Sequence, residues 1–180
     1  RSSANALYSV LSGAGNIVNQ PYGTVLNGTE NLIRNAQYVT IFNSSLGNQI
    51  ATGEGEGSTI FSGEGVATHG QYSFGQGKFV HSSEDYSVIT NGQTVTANGP
   101  HAFIAGGQSS EVQASATSAV VVGSEIISKA DFSFAAGRKL DLSTAADNTF
   151  VWSDGDPAWA GGTTNPAPIS DANSFIVLAD

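Results

Sequence analysis

Three histidines, His69, His81 and His101, are the side chains of this chain best suited to move a proton or to hold a transition metal. A histidine base needs a nucleophile and an orienting acid beside it, and a metal needs several ligands at fixed spacing. Neither pattern accompanies any of the three. The second chemical candidate is acidic: Asp141, Asp147, Asp154, Asp156, Asp171 and Asp180 crowd the last forty residues, which hold no Lys or Arg. Hard cations such as calcium want several carboxylate oxygens, but Asp154-Gly155-Asp156 is not an EF-hand loop. The third is aromatic. Tyr72, Tyr86 and His101, with Tyr8 and Phe132 further along, recur at one place in a repeat and could present a strip to a glycan or a protein ligand. A stacked ladder that stabilises its own fold explains them more simply. The expectation is a chain with no catalytic residue, no metal and no cofactor, in which Tyr72, Tyr86 and His101 are weak binding candidates.

The elements that position these residues follow from a pentad that returns eleven times. It reads small hydroxyl or Ala, then Val, Ile or Phe, usually another apolar residue, a variable position, and most often Gly. Ser9-Val10-Leu11-Ser12-Gly13, Thr59-Ile60-Phe61-Ser62-Gly63 and Ala119-Val120-Val121-Val122-Gly123 are examples. The second positions are Val10, Val25, Ile41, Ile60, Phe74, Val88, Phe103, Val120, Phe134, Phe150 and Phe175, at spacings of 14 to 19 residues apart from a final 25. A unit of fixed size with small insertions specifies a solenoid. A second apolar column lies six to nine residues on: Ile17, Leu32, Ile50, Val66, Val80, Val95, Val112, Ile126 and Leu140. No window shows helical periodicity, so each repeat carries two short strands. Gly13, Gly28, Gly63, Gly77, Gly106, Gly123 and Gly137, with Asn91 once, are placed to turn the chain after the pentad. In this alignment His69 stacks over Ser83 and His81 over Ala67, in different columns.

Side chains alternate along a strand, so adjacent pentad positions point to opposite faces. Positions two and three are both apolar through most of the series. One strand is therefore apolar on both sides, and an exposed ladder of that length calls for a partner beyond its own coil. With strands about 4.8 Å apart, eleven coils make a rod about 50 Å long.

Composition narrows the function. The chain has 180 residues, a net charge of −9 and only six Lys and Arg, which argues against nucleic acid and against an anionic membrane surface. There is no Cys, so neither disulfides nor thiolate metal sites arise. No apolar run is long enough for a membrane-spanning helix, and no signal peptide is evident.

Ser9-Val10-Leu11-Ser12-Gly13, Ala119-Val120-Val121-Val122-Gly123 and Ser133-Phe134-Ala135-Ala136-Gly137 resemble the Ser-Val-Ala-Ile-Gly repeat of YadA-type trimeric autotransporter adhesin heads. The resemblance runs from about Ser9 to Phe175. It departs where position three is large (Phe42, Phe61, Ile89) and position four polar (Asn27, Asn43, Gln76). It implies a left-handed parallel β-roll that binds three chains side by side. Asn148 to Gly155 and Asn173 to Ala179 also look like segments closing such rolls in bacterial and phage tail-fibre-like proteins. The resulting expectation is an all-β chain: a left-handed parallel β-roll or β-solenoid of about eleven short coils, assembled as a homotrimer. Residues 1–153 form the roll, 154–172 a Pro- and Gly-rich loop containing Pro157, Pro166, Pro168 and Trp159, and 173–180 a final strand of a longer fibre. The expected role is a structural and adhesive module on a cell surface or phage particle, with a protein or glycan receptor. A phage-type tail-fibre shaft is the alternative. A β-helical polysaccharide-degrading enzyme is disfavoured, because the middle of the rod lacks the clustered carboxylates and cations of such a cleft.

Overall fold

The computed structural model describes residues 3–4, 8–34, 37–42, 48–51, 56–154 and 169–178. These contain seventeen strands and no helix, and every strand pair is parallel within one sheet. The sheet winds into a β-solenoid of about nine turns. Each turn has a first strand built on the pentad and a second strand after it. In the middle of the rod the two merge into single long strands, such as Phe74–Ser82, Val88–Ala97, Val120–Ser128 and Phe134–Leu142. Most of the expected Pro- and Gly-rich loop, 155–168 with Trp159, lies outside the described residues. Beyond it Phe175–Leu178 pairs in register with Phe150–Ser153 as a further rung.

The inward column of the first strand runs Leu11, Val25, Ile41, Ile60, Gly75, Ile89, Ile104, Val121, Ala135, Val151 and Ile176, each hydrogen-bonded in register with the next. Val25, Ile41 and Ile60 are fully buried there. The other residues expected in the core face outward: Val10, Phe74, Val88, Phe103, Val120, Phe134, Phe150 and Phe175. Val10 pairs with Thr24, Phe74 with Thr59, and Phe103 is 38% exposed while its neighbour Ile104 is sealed.

A β-bulge causes the slip. Leu11 and Gly75 precede their glycines by two residues, but Val25, Ile60, Ile89 and Ile104 precede theirs by three, and the ladder shifts register where Leu11 meets Val25 and where Gly75 meets Ile60 and Ile89. One inserted residue in a two-residue period moves every side chain before it to the opposite face. Aligning the repeats on glycine therefore mixes the two columns.

The same bulge corrects the turn column. Gly77 pairs with Gly92, and the Gly107 carbonyl accepts from the N–H of Gln93, so Gly92 and Gly107 stand in the column. Asn91 and Gly106 do not. They are bulge residues, matching Asn27, and Asn27 and Asn91 adopt the left-handed conformation that Asn tolerates (φ 54° and 52°).

The second strand contributes two inward columns. One begins with Asn16, Asn31 and Asn48 and continues through Val66, Val80, Val95, Ser110, Ile126 and Leu140; the other includes Val18, Ile33, Thr68, Ser82, Ala97, Val112, Ser128 and Leu142. Ile17 and Leu32 lie on the outer face between them, so the second apolar column also mixed two faces. The three buried asparagines form a ladder. Asn31 Nδ2 donates to Asn16 Oδ1 at 2.9 Å, Asn48 Nδ2 donates to Asn31 Oδ1 at 3.1 Å, and Asn48 Oδ1 accepts the N–H of Val66 at 2.7 Å. Each amide thus supplies the donors and acceptors that a buried polar side chain needs.

Candidate functional site

The turn after each second strand places one residue in the left-handed region; it is Gly57, Ser118, Asn148 or Asn173 in some coils and an aromatic in the others. Tyr8, Tyr22, Tyr38, Tyr72, Tyr86, His101 and Phe132 have φ between 51° and 61°. The conformation is unfavourable for bulky side chains, but it aims the N–H along the rod. Tyr72 N–H donates to Glu56 O at 2.8 Å and Tyr86 N–H to Gln71 O at 2.8 Å, each tying one coil to the preceding one. Carboxylates bond the other way. Asp85 Oδ1 accepts the Gln71 N–H at 2.7 Å, and Asp131 Oδ1 accepts the Thr117 N–H at 2.6 Å. These aspartates serve the backbone of the coil before them.

The weak binding candidates Tyr72, Tyr86 and His101 come together as neighbouring rungs. Ring centroids lie 5.5 Å apart for Tyr72–Tyr86 and 5.2 Å for Tyr86–His101, with the rings nearly parallel. Tyr22, absent from the expected strip, stacks between Tyr8 and Tyr38 at 5.4 and 4.7 Å. Pyranose recognition uses an open ring face, and within each run the faces cover one another. This geometry makes a stabilising ladder that shows ring edges to solvent.

A second surface is the outer face of the first strand. From Phe74 to Phe175 its leading column is apolar at every rung, and Phe134, Phe150 and Phe175 stack with centroids 4.9 and 4.8 Å apart. Trp152 and Val177 extend it sideways. Towards the other end the apolar residues shift to Leu26, Phe42 and Phe61, and threonines (Thr24, Thr40, Thr59) take the leading column.

The third surface is on the second strand. His81 Nε2 lies 2.9 Å from His69 Nδ1, with the rings perpendicular at 4.8 Å between centroids. His81 sits in register over Ala67, but its ring leans diagonally onto His69, the next outward residue along the lower coil. Alignment by vertical columns misses such a pair; the 12-residue spacing, two less than the coil, is its signal. Burial holds the pKa of His81 below the usual 6.5, and the neighbouring His69 lowers it further. His101 is not part of this pair; it belongs to the aromatic ladder.

Among the described residues no three His, Cys, Asp or Glu side chains gather as a metal cluster, and no helix is long and apolar enough to cross a membrane. Asp156 and Asp180 lie outside the described residues. No protein-family model matches the chain, and no curated protein shows significant similarity to it.

Proposed function

We propose that this chain is a structural and adhesive module of an extracellular fibre. In this reading the solenoid is a left-handed β-roll that assembles side by side as a homotrimer and mediates attachment to a surface, a host matrix or a glycan. The observation that carries the reading is the outer face of the first strand. Seven consecutive rungs, from Phe74 to Phe175, present apolar side chains outward, and Phe175 is 74% exposed on the single chain. Such a stripe spans about 30 Å along the axis, more than a soluble monomer ordinarily leaves uncovered. A second copy with the same stripe matches it in length and chemistry, and a closed ring of copies leaves no apolar face open.

Light scattering tests the assembly: chains of 18.4 kDa should run as a particle of about 55 kDa. A stable monomer at micromolar concentration overturns it. Attachment is tested by binding of the purified particle to immobilised matrix proteins and glycans, with no retention on either as the negative result.

A further inference from the structure

The diagonal contact between His69 and His81 has chemistry of its own, independent of assembly. The facing nitrogens are 2.9 Å apart. Two imidazole nitrogens bound to one metal at about 2.0–2.1 Å stand about 2.9 Å apart when the angle at the metal is about 90°, and about 3.3 Å apart at the tetrahedral angle. The spacing thus matches that of a cis chelate, and rotation of the two side chains out of their hydrogen-bonded alignment turns both lone pairs towards one metal. Both histidines are on the outer face, partly buried, and Ala67 beneath His81 leaves the space into which the ring leans.

We propose that His69 and His81 form a two-imidazole site for a divalent transition metal, whose remaining positions are filled by water. A pair of neutral nitrogens selects Cu2+, Ni2+ or Zn2+ over calcium and magnesium, which want oxygen ligands. In the metal-free pair one ring donates its N–H to the other. On binding, the donating ring moves that proton to its outer nitrogen, both facing lone pairs are freed, and a neutral pair releases no net proton. Because the two residues belong to consecutive coils, the metal cross-links neighbouring turns of the solenoid.

The test is titration of the tag-free full chain with CuCl2, NiCl2 and ZnCl2, read by calorimetry and by electron paramagnetic resonance of the Cu2+ sample. The expected result is one metal per chain, two nitrogen ligands in the Cu2+ spectrum, and a melting temperature that rises with metal. His69→Gln and His81→Gln should each weaken binding by at least about tenfold and leave one nitrogen ligand, and His101→Gln should change nothing. Absence of saturable binding by the wild-type chain overturns the proposal. So does binding by either Gln variant within twofold of wild type.

Discussion

Gly123 tests what spaces the coils. Its φ is +133°, outside the left-handed helical region, and a Cβ built on it would lie 2.0 Å from the carbonyl oxygen of Gly137 on the next turn. That is about 1 Å inside any tolerable approach, and the obstacle is backbone. Replacement by Ala therefore meets two costs: a backbone conformation open to glycine almost alone, about 1–3 kcal/mol, and overpacking of about 1–3 kcal/mol. The sum, about 2–6 kcal/mol, is a large part of the stability of an ordinary domain. Gly106 is the control. Its φ is +72° and a Cβ there meets nothing within 4 Å, so Gly106→Ala should cost about 1 kcal/mol from backbone handedness alone, and Gly106→Asn less. At Gly123, Asn should do no better than Ala, because the clash is with the first side-chain carbon that both share. Urea unfolding followed by circular dichroism at one fixed chain concentration gives the comparison. The reasoning fails if Gly123→Ala costs no more than Gly106→Ala, or if Asn at position 123 is markedly milder than Ala.

Ile104→Asp places a carboxylate in the sealed interior and should unfold neighbouring coils at a cost of several kcal/mol, whereas Phe103→Asp should leave a folded chain that no longer assembles; equal melting of the two variants contradicts the register. Thr68 Oγ1 is buried without a hydrogen-bond partner, so Thr68→Val should raise stability by about 1 kcal/mol, and a loss of that size in urea unfolding shows the hydroxyl to be satisfied. Asn31→Ala removes the middle of the asparagine ladder and should cost about 1–3 kcal/mol by the same assay, with a neutral result denying the ladder its role. For His81 the folded pKa lies below the unfolded value of 6.5, so its contribution is fully present above 6.5 and is lost as pH falls through the depressed value. Melting in the presence of a chelator should show that loss on acidification and show it reduced in His81→Gln; Ala67 and Thr96, in register on either side, carry no charge to mask it.

The repeat, the parallel strands and, among the described residues, the absence of helix are legible in the sequence, because Val, Ile and Phe recur at a coil-sized interval with glycine or asparagine behind them. Those properties belong to each coil separately. The facing of Phe103 and Ile104 does not: it depends on parity, and parity is reset by a bulge of one residue before Gly28, Gly63, Gly92 and Gly107. Both alternatives leave an apolar side chain on each face, so hydrophobicity alone cannot choose between them, and hydrogen bonding to the adjacent coil does. Asn16, Asn31 and Asn48 recur visibly at intervals close to a coil, yet an inward asparagine reads as a turn until the amides are seen to satisfy one another. The meeting of His69 with His81 belongs to tertiary structure altogether. Residues twelve apart touch only because the chain advances one coil in fourteen, and because Ala67 leaves room for a ring to lean across.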